Sequence, residues 1–156
     1  MMGRIYVASF EKVAVTAAQD LFQVLAPATA RVVLHWLTIT VGGVAADAGD
    51  AAAEQLSVLI HRGSTDGSGG STPTPNPINF GDAASAVVVE ANNDTPGTEG
   101  TILHAEAFHI AAGLSIIWTP ECRITVPPSD LLHITLQDVP TDSLEMNGSL
   151  YFEECD

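Results

Sequence analysis

Five histidines and nineteen carboxylates define the chemistry this chain could attempt. Their densest local combination is Leu103-His104-Ala105-Glu106-Ala107-Phe108-His109. On an extended backbone His104 and Glu106 project from one face, while His109 points the other way unless a bulge intervenes. A metal-binding β-domain would need a His-x-His-type cluster with further ligands nearby, and that pattern is missing. His35 or His133 would complete a site only if folding brought them close, so exposed or core-satisfied histidines are the simpler reading. Hydrolysis finds no Gly-x-Ser-x-Gly elbow. A glycosidase needs two carboxylates across an aromatic-lined cleft, yet aromatic residues make up only 6 % of the chain. Trp36 and Trp118 are expected in the core rather than on a sugar-stacking platform. No Asp-x-Asp-x-Asp-Gly calcium loop occurs. Gly67-Ser68-Gly69-Gly70 runs into Ser71-Thr72-Pro73 without the lysine of a phosphate loop. No catalytic, cofactor-binding or metal-ligating residue is assigned, and no enzymatic activity is expected.

The elements that would position any site are strands. Arg31 to Val41 is a run of Val, Leu, Trp, Thr and Ile, and similar short runs recur along the chain between Gly, Pro and Asn. β-branched and aromatic residues at period two indicate antiparallel strands in an all-β sandwich or jelly-roll-like domain. Expected strands are Ile5 to Phe10, Val13 to Val15, Ala30 to Val41, Gln55 to Arg62, Ala84 to Ala91, Thr101 to Ile110, Leu114 to Trp118, Arg123 to Val126, Leu131 to Gln137 and Leu144 to Glu153, with about eight forming the sandwich. Apolar groups on both faces of Ala30 to Val41 suggest a central strand covered on both sides. Leu56, Val58 and Ile60 share one face of theirs. The Ala- and Asp-rich stretch Val44 to Glu54 suits a short helix or a loop. The longest break spans 63–80, a Gly/Ser half followed by a Thr-Pro half; such an arm is expected to lie on a neighbouring molecule or to stay disordered.

Composition bounds the rest. A chain of 156 residues suits one domain, 1–156, with a real core. Hydrophobic residues reach 46 %, chiefly Ala and Val, which suits a thin interior or a face buried on a partner. Five Lys plus Arg against 19 Asp plus Glu give a formal net charge of -14. The cations are scattered singly, which disfavours nucleic acid and anionic membrane surfaces; an acidic surface favours solubility or a basic partner. No apolar run is long enough for a membrane helix. The opening Met1-Met2-Gly3-Arg4-Ile5-Tyr6 lacks the apolar core of an export signal, so use without export is expected. Cys122 and Cys155 then read as free thiols, with pairing left open.

Three stretches together resemble small virion proteins of tailed bacteriophages, of head-decoration (cement) type. They are Gly3-Arg4-Ile5-Tyr6 with Val13 to Phe22, the arm from Arg62 to Pro77, and the close from Asp142 to Glu154. The resemblance lies in overall pattern across nearly the whole chain, not in a diagnostic motif. It implies a β-sandwich, often trimeric, that clamps neighbouring major capsid proteins on the outer shell and is assembled in the host cytoplasm. Contact candidates are Met2, Gly3, Arg4 and Ile5; Thr72, Pro73, Thr74, Pro75, Asn76, Pro77 and Phe80 on the arm; and Ile117 with Trp118. A tail, neck or head-fibre component is the nearest alternative, and a carbohydrate-binding sandwich is the alternative from another class.

Overall fold

A computed structural model describes residues 3–42 and 54–155. Met2 and the stretch 44–53, with its expected helix or loop, lie outside the described residues. The fold is all-β, with two antiparallel sheets packed face to face. Eleven strands follow in chain order: β1 Arg4–Val15, β2 Gln19–Leu25, β3 Arg31–Val41, β4 Gln55–Gly63, β5 Asn76–Pro77, β6 Val88–Asn93, β7 Glu99–His109, β8 Leu114–Ile117, β9 Thr125–Val126, β10 Leu131–Leu136 and β11 Leu144–Cys155. Sheet A runs β5-β1-β11-β3-β8, with β9 also paired to β3; sheet B runs β6-β2-β10-β4-β7.

Alternation puts one side of each strand inside. Tyr6, Ala8 and Phe10, then Leu150 and Phe152, face Phe22, Val24, Ile60, Leu132 and Ile134 in a single core. Tyr6 stacks on Phe152 at 5.9 Å and Phe10 meets Phe22 at 5.1 Å. Each such large side chain removed from water contributes roughly 1.5–3 kcal/mol, which outweighs the weak β propensity of the interspersed Ala and Gly.

Several expectations are corrected. The first two expected strands are one, because a bulge between Phe10 and Val13 keeps both halves on β11. Lys12 adopts φ 51° there, and its N–H is satisfied by Asn147 Oδ1 at 3.0 Å. β3 is central in sheet A but covered on one face only; its other face is half open to solvent. Trp36, expected in the core, is 37 % exposed. The cause is a bulge at His35: Tyr151 pairs Trp36 but Phe152 pairs Leu34. The inward phase therefore changes from Val32 and Leu34 to Leu37 and Ile39, since a one-residue slip turns every later side chain over.

The 63–80 arm is not disordered but tied to the chain's own strands. Ser68 bridges Thr95 and Ser71 bridges Ala91, along sheet B. Asn76 and Pro77 then pair with Val7 and Tyr6 of sheet A. Further on, Tyr6 donates its hydroxyl hydrogen to Ala83 O at 2.9 Å, and Ser85 donates to Glu154 at 2.7 Å. The chain thus straps one side of the sandwich from sheet to sheet. Backbone groups at both edges supply the binding energy that the polar sequence lacks.

Candidate functional site in two outer faces

The outer side of sheet B carries polar residues, yet it is not a surface. β2, β10 and β4 place Asp20, Thr135 and His133 beside His61 by direct pairing. The connection after β4 and the loop before β7 cover them, leaving Asp20, His61 and His133 almost completely buried. Asp20 accepts hydrogen bonds from His133 Nδ1 at 2.8 Å, Thr135 Oγ1 at 2.5 Å and the Gly97 N–H at 2.8 Å. Burial pushes its carboxyl pKa up, but the donors from His133, Thr135 and Gly97 prevail and hold it below the ordinary value.

The proton positions follow from this. Thr135 has one hydroxyl hydrogen and gives it to Asp20. It must therefore accept from His61 Nε2, 2.9 Å away, while His61 Nδ1 lies 3.1 Å from Arg62 O and 3.4 Å from Gly100 N. His61 and His133 stack at 5.2 Å. His133 Nε2 is buried without a partner, pressed against Gly63 and Gly97, where any Cβ would collide with the ring. Gln23 extends the latch: its amide donates to Asp66 and Glu90 and its oxygen accepts from Gly67 N–H at 2.7 Å. A histidine–carboxylate pair can serve acid–base chemistry, but this one is sealed from solvent, with only His133 Nε2 left unpartnered. Its chemistry is to fasten the roof to the sheet.

Among the described residues no loop roofs the outer side of sheet A. Register aligns its outward residues in rows across the strands. One row is Asn76, Val7, Tyr151, Trp36 and Ile117. A parallel row is Ser9, Ser149, Thr38 and Ser115. On the other side Ile5 faces Glu153, which faces Val33. The Ile78 N–H bonds to Ile5 O at 3.0 Å, setting Ile78 beside Ile5. Ile117 is 71 % exposed, Ile78 50 % and Phe80 99 %.

Trp36 and Tyr151 stack with centroids 4.9 Å apart and planes within 18°. That separation equals the strand spacing, so the rings stand upright and show their edges to solvent. Trp36 Nε1 donates to Ser115 Oγ at 3.0 Å and fixes the indole. His35 Nε2 donates to Glu153 Oε2 at 3.0 Å at the border of the row. Burial raises the Glu153 pKa, but His35 and the Gly3 N–H together bring it below the usual value.

The sequence candidates are placed as follows. Gly3 is tied down through its N–H to Glu153 Oε1 at 2.7 Å, and Arg4 and Ile5 are exposed beside it on β1. Thr72, Thr74 and Asn76 are exposed on the strap, while Pro73, Pro75 and Pro77 are half-buried against the chain's own strands. Phe80 stands at the tip of the turn closed by Asp82 N–H to Asn79 O. Ile117 is on the bare face, but Trp118 is only 7 % exposed and belongs to the core, because it alternates inward after Ile117. His104 and Glu106 do meet, Nε2 to Oε2 at 3.0 Å; His109 instead accepts from Ala111 N–H, and His35 and His133 stand on different sheets. Among the described residues no group of three or more His, Cys, Asp or Glu is placed to hold a metal ion. Cys122 and Cys155 are free thiols. No described helix is long and apolar enough to cross a membrane.

The sequence reading missed Asp20, His61, His133 and Thr135 as one cluster, and it missed Val7, Trp36, Tyr151 and Ile78 as one surface. His133 and Thr135 share a strand face by alternation, which was a readable half of the first. No protein-family model matches the chain, and no curated protein matches it.

Proposed function

We propose that this chain is a non-enzymatic virion structural protein that binds the outer surface of a bacteriophage capsid through the bare face of sheet A and clamps neighbouring major capsid proteins. The observation that carries the reading is the row of Val7, Tyr151, Trp36 and Ile117, continued by Ile5 and Ile78. Four of the nine large apolar side chains exposed on the described chain lie on this side: Ile5, Trp36, Ile78 and Ile117. A contiguous apolar patch with a polar border suits a protein partner better than water. The net charge of -14 steers it towards a basic surface.

Topology supports the same class. β5 and β6 interrupt the connection from β4 to β7, and β9 interrupts that from β8 to β10. Without them the sheets read β1-β11-β3-β8 and β2-β10-β4-β7. We read that order as an eight-stranded jelly roll with three short additions, an architecture found in viral capsid, lectin and cupin domains. Of these, the lectin reading is disfavoured by the upright rings: a sugar stacks on a ring face, and here the two facing ring faces cover each other.

Location tests the proposal. Purified phage particles should contain the chain at a fixed ratio to the major capsid protein by quantitative mass spectrometry, and antibody labelling should decorate heads. Labelling confined to tails or necks would shift the assignment to another virion component. Particles free of the chain would overturn it.

A further inference from the structure

The two long sides of the sandwich are finished differently. On one side β5 covers the edge of β1, and the bridges at Ser68 and Ser71 cover that of β6. On the other side β8 is only four residues long, whereas β7 runs for eleven. Among the described residues β7 has β4 as its only neighbour in the sheet. An uncovered strand edge is a row of unpaired backbone donors and acceptors.

The direction of those groups follows from register. Ile110 N–H bonds to Glu54 O at 3.2 Å, and the same pairing sets Phe108 opposite Leu56, Glu106 opposite Val58 and His104 opposite Ile60. Hydrogen-bonded and non-hydrogen-bonded pairs alternate in an antiparallel ladder, so His104, Glu106 and Phe108 spend their backbone groups on β4. Ala105 and Ala107 aim theirs at the free edge. Their side chains are small and exposed, and Leu103 beside them is exposed as well.

We propose that β7 pairs antiparallel with β7 of a second copy about a two-fold axis at Ala105, making sheet B continuous through a homodimer. Side-chain complementarity selects this register. About Ala105, His104 lies opposite Glu106 of the second copy and Glu106 opposite its His104, an imidazole donor facing a carboxylate acceptor twice over. A two-fold at Glu106 would oppose two carboxylates, and one at His104 would leave Glu106 opposite Ile102. A lone inward-facing charge on an edge strand blocks such pairing; two of opposite character at i and i+2 are complementary to themselves. On the other face Leu103 of each copy covers Ala107 of its mate, removing an exposed leucine from water. The dimer does not rest on the capsid reading, and either can fail alone.

Light-scattering mass of the purified full chain tests it. The wild type should weigh two chains. Ala105→Pro removes an N–H that is unused within the chain, a position where an edge strand tolerates proline, and should weigh one chain with an unchanged circular dichroism spectrum. Glu106→Lys, a surface change that decides the matter should the proline variant misfold, should weaken dimerisation about tenfold. The exchange His104→Glu with Glu106→His should restore it. A wild type of one or three chain masses, or an undiminished dimer in Glu106→Lys, would overturn the proposal.

Discussion

Sheets A and B present outer faces of opposite design. Sheet B's is sealed by the chain's own loops over Asp20, His61, His133 and Thr135, all drawn into one hydrogen-bonded network. Sheet A's carries Trp36, Tyr151 and Ile117 with no covering loop among the described residues, held by separate bonds such as Trp36 to Ser115 and His35 to Glu153. A buried polar network is costly to disturb, because each member left alone retains its desolvation penalty. A bare apolar row costs the monomer little to alter and matters once something covers it. Substitutions on the two faces should therefore separate stability from association.

The largest expected effect is on the sealed face. Asp20→Ala strands the donors of His133, Thr135 and Gly97, and should lower unfolding free energy by about 3–5 kcal/mol in urea titration. It should also make the 64–100 region sensitive to protease while the core strands resist. Gly63→Ala comes next. Its new Cβ meets the His133 ring at the unpartnered Nε2, and overpacking of this kind costs about 1–3 kcal/mol.

The legibility of the fold in the sequence follows the same division. The inward faces Leu56-Val58-Ile60 and Leu132-Ile134-Leu136 were readable because apolar residues fall on them at period two. Trp36 was not, since a bulge at His35 inverts the phase and no residue in that run announces it. The attachment of the strap from Ser68 to Pro77 was not readable because it is made by backbone groups, which a Gly-, Ser- and Pro-rich composition does not reveal. The Asp20 network joins residues 113 positions apart, and only strand order brings them together.

Acid should sharpen the contrast. The Asp20 pKa is lowered in the folded chain, by hydrogen bonds that outweigh burial. Its contribution to stability is thus complete above the ordinary carboxylate pKa and is lost as pH falls through the lowered one. Unfolding free energy measured from neutral pH downwards should decline in that acidic range, and Asp20→Asn should flatten the decline. Glu153 on the bare face has the same sign from His35 and Gly3. It is partly exposed, so Glu153→Gln should alter the curve much less.

The smallest effect on stability belongs to Ile117→Lys and Trp36→Ser. Ile117 packs on little, and its replacement should stay within about 0.5 kcal/mol of the wild type. Trp36 also loses its stacking on Tyr151, worth about 0.5–1.5 kcal/mol.

The most direct measurement is cosedimentation of the purified protein with phage shells that lack it, comparing wild type, Gly63→Ala and Ile117→Lys. The wild type should saturate shells at a fixed copy number, and so should the folded fraction of Gly63→Ala despite its lower stability. Ile117→Lys, as stable as the wild type, should fail to bind. Equal binding by Ile117→Lys, or no binding by the wild type, would contradict a docking role for the bare face of sheet A.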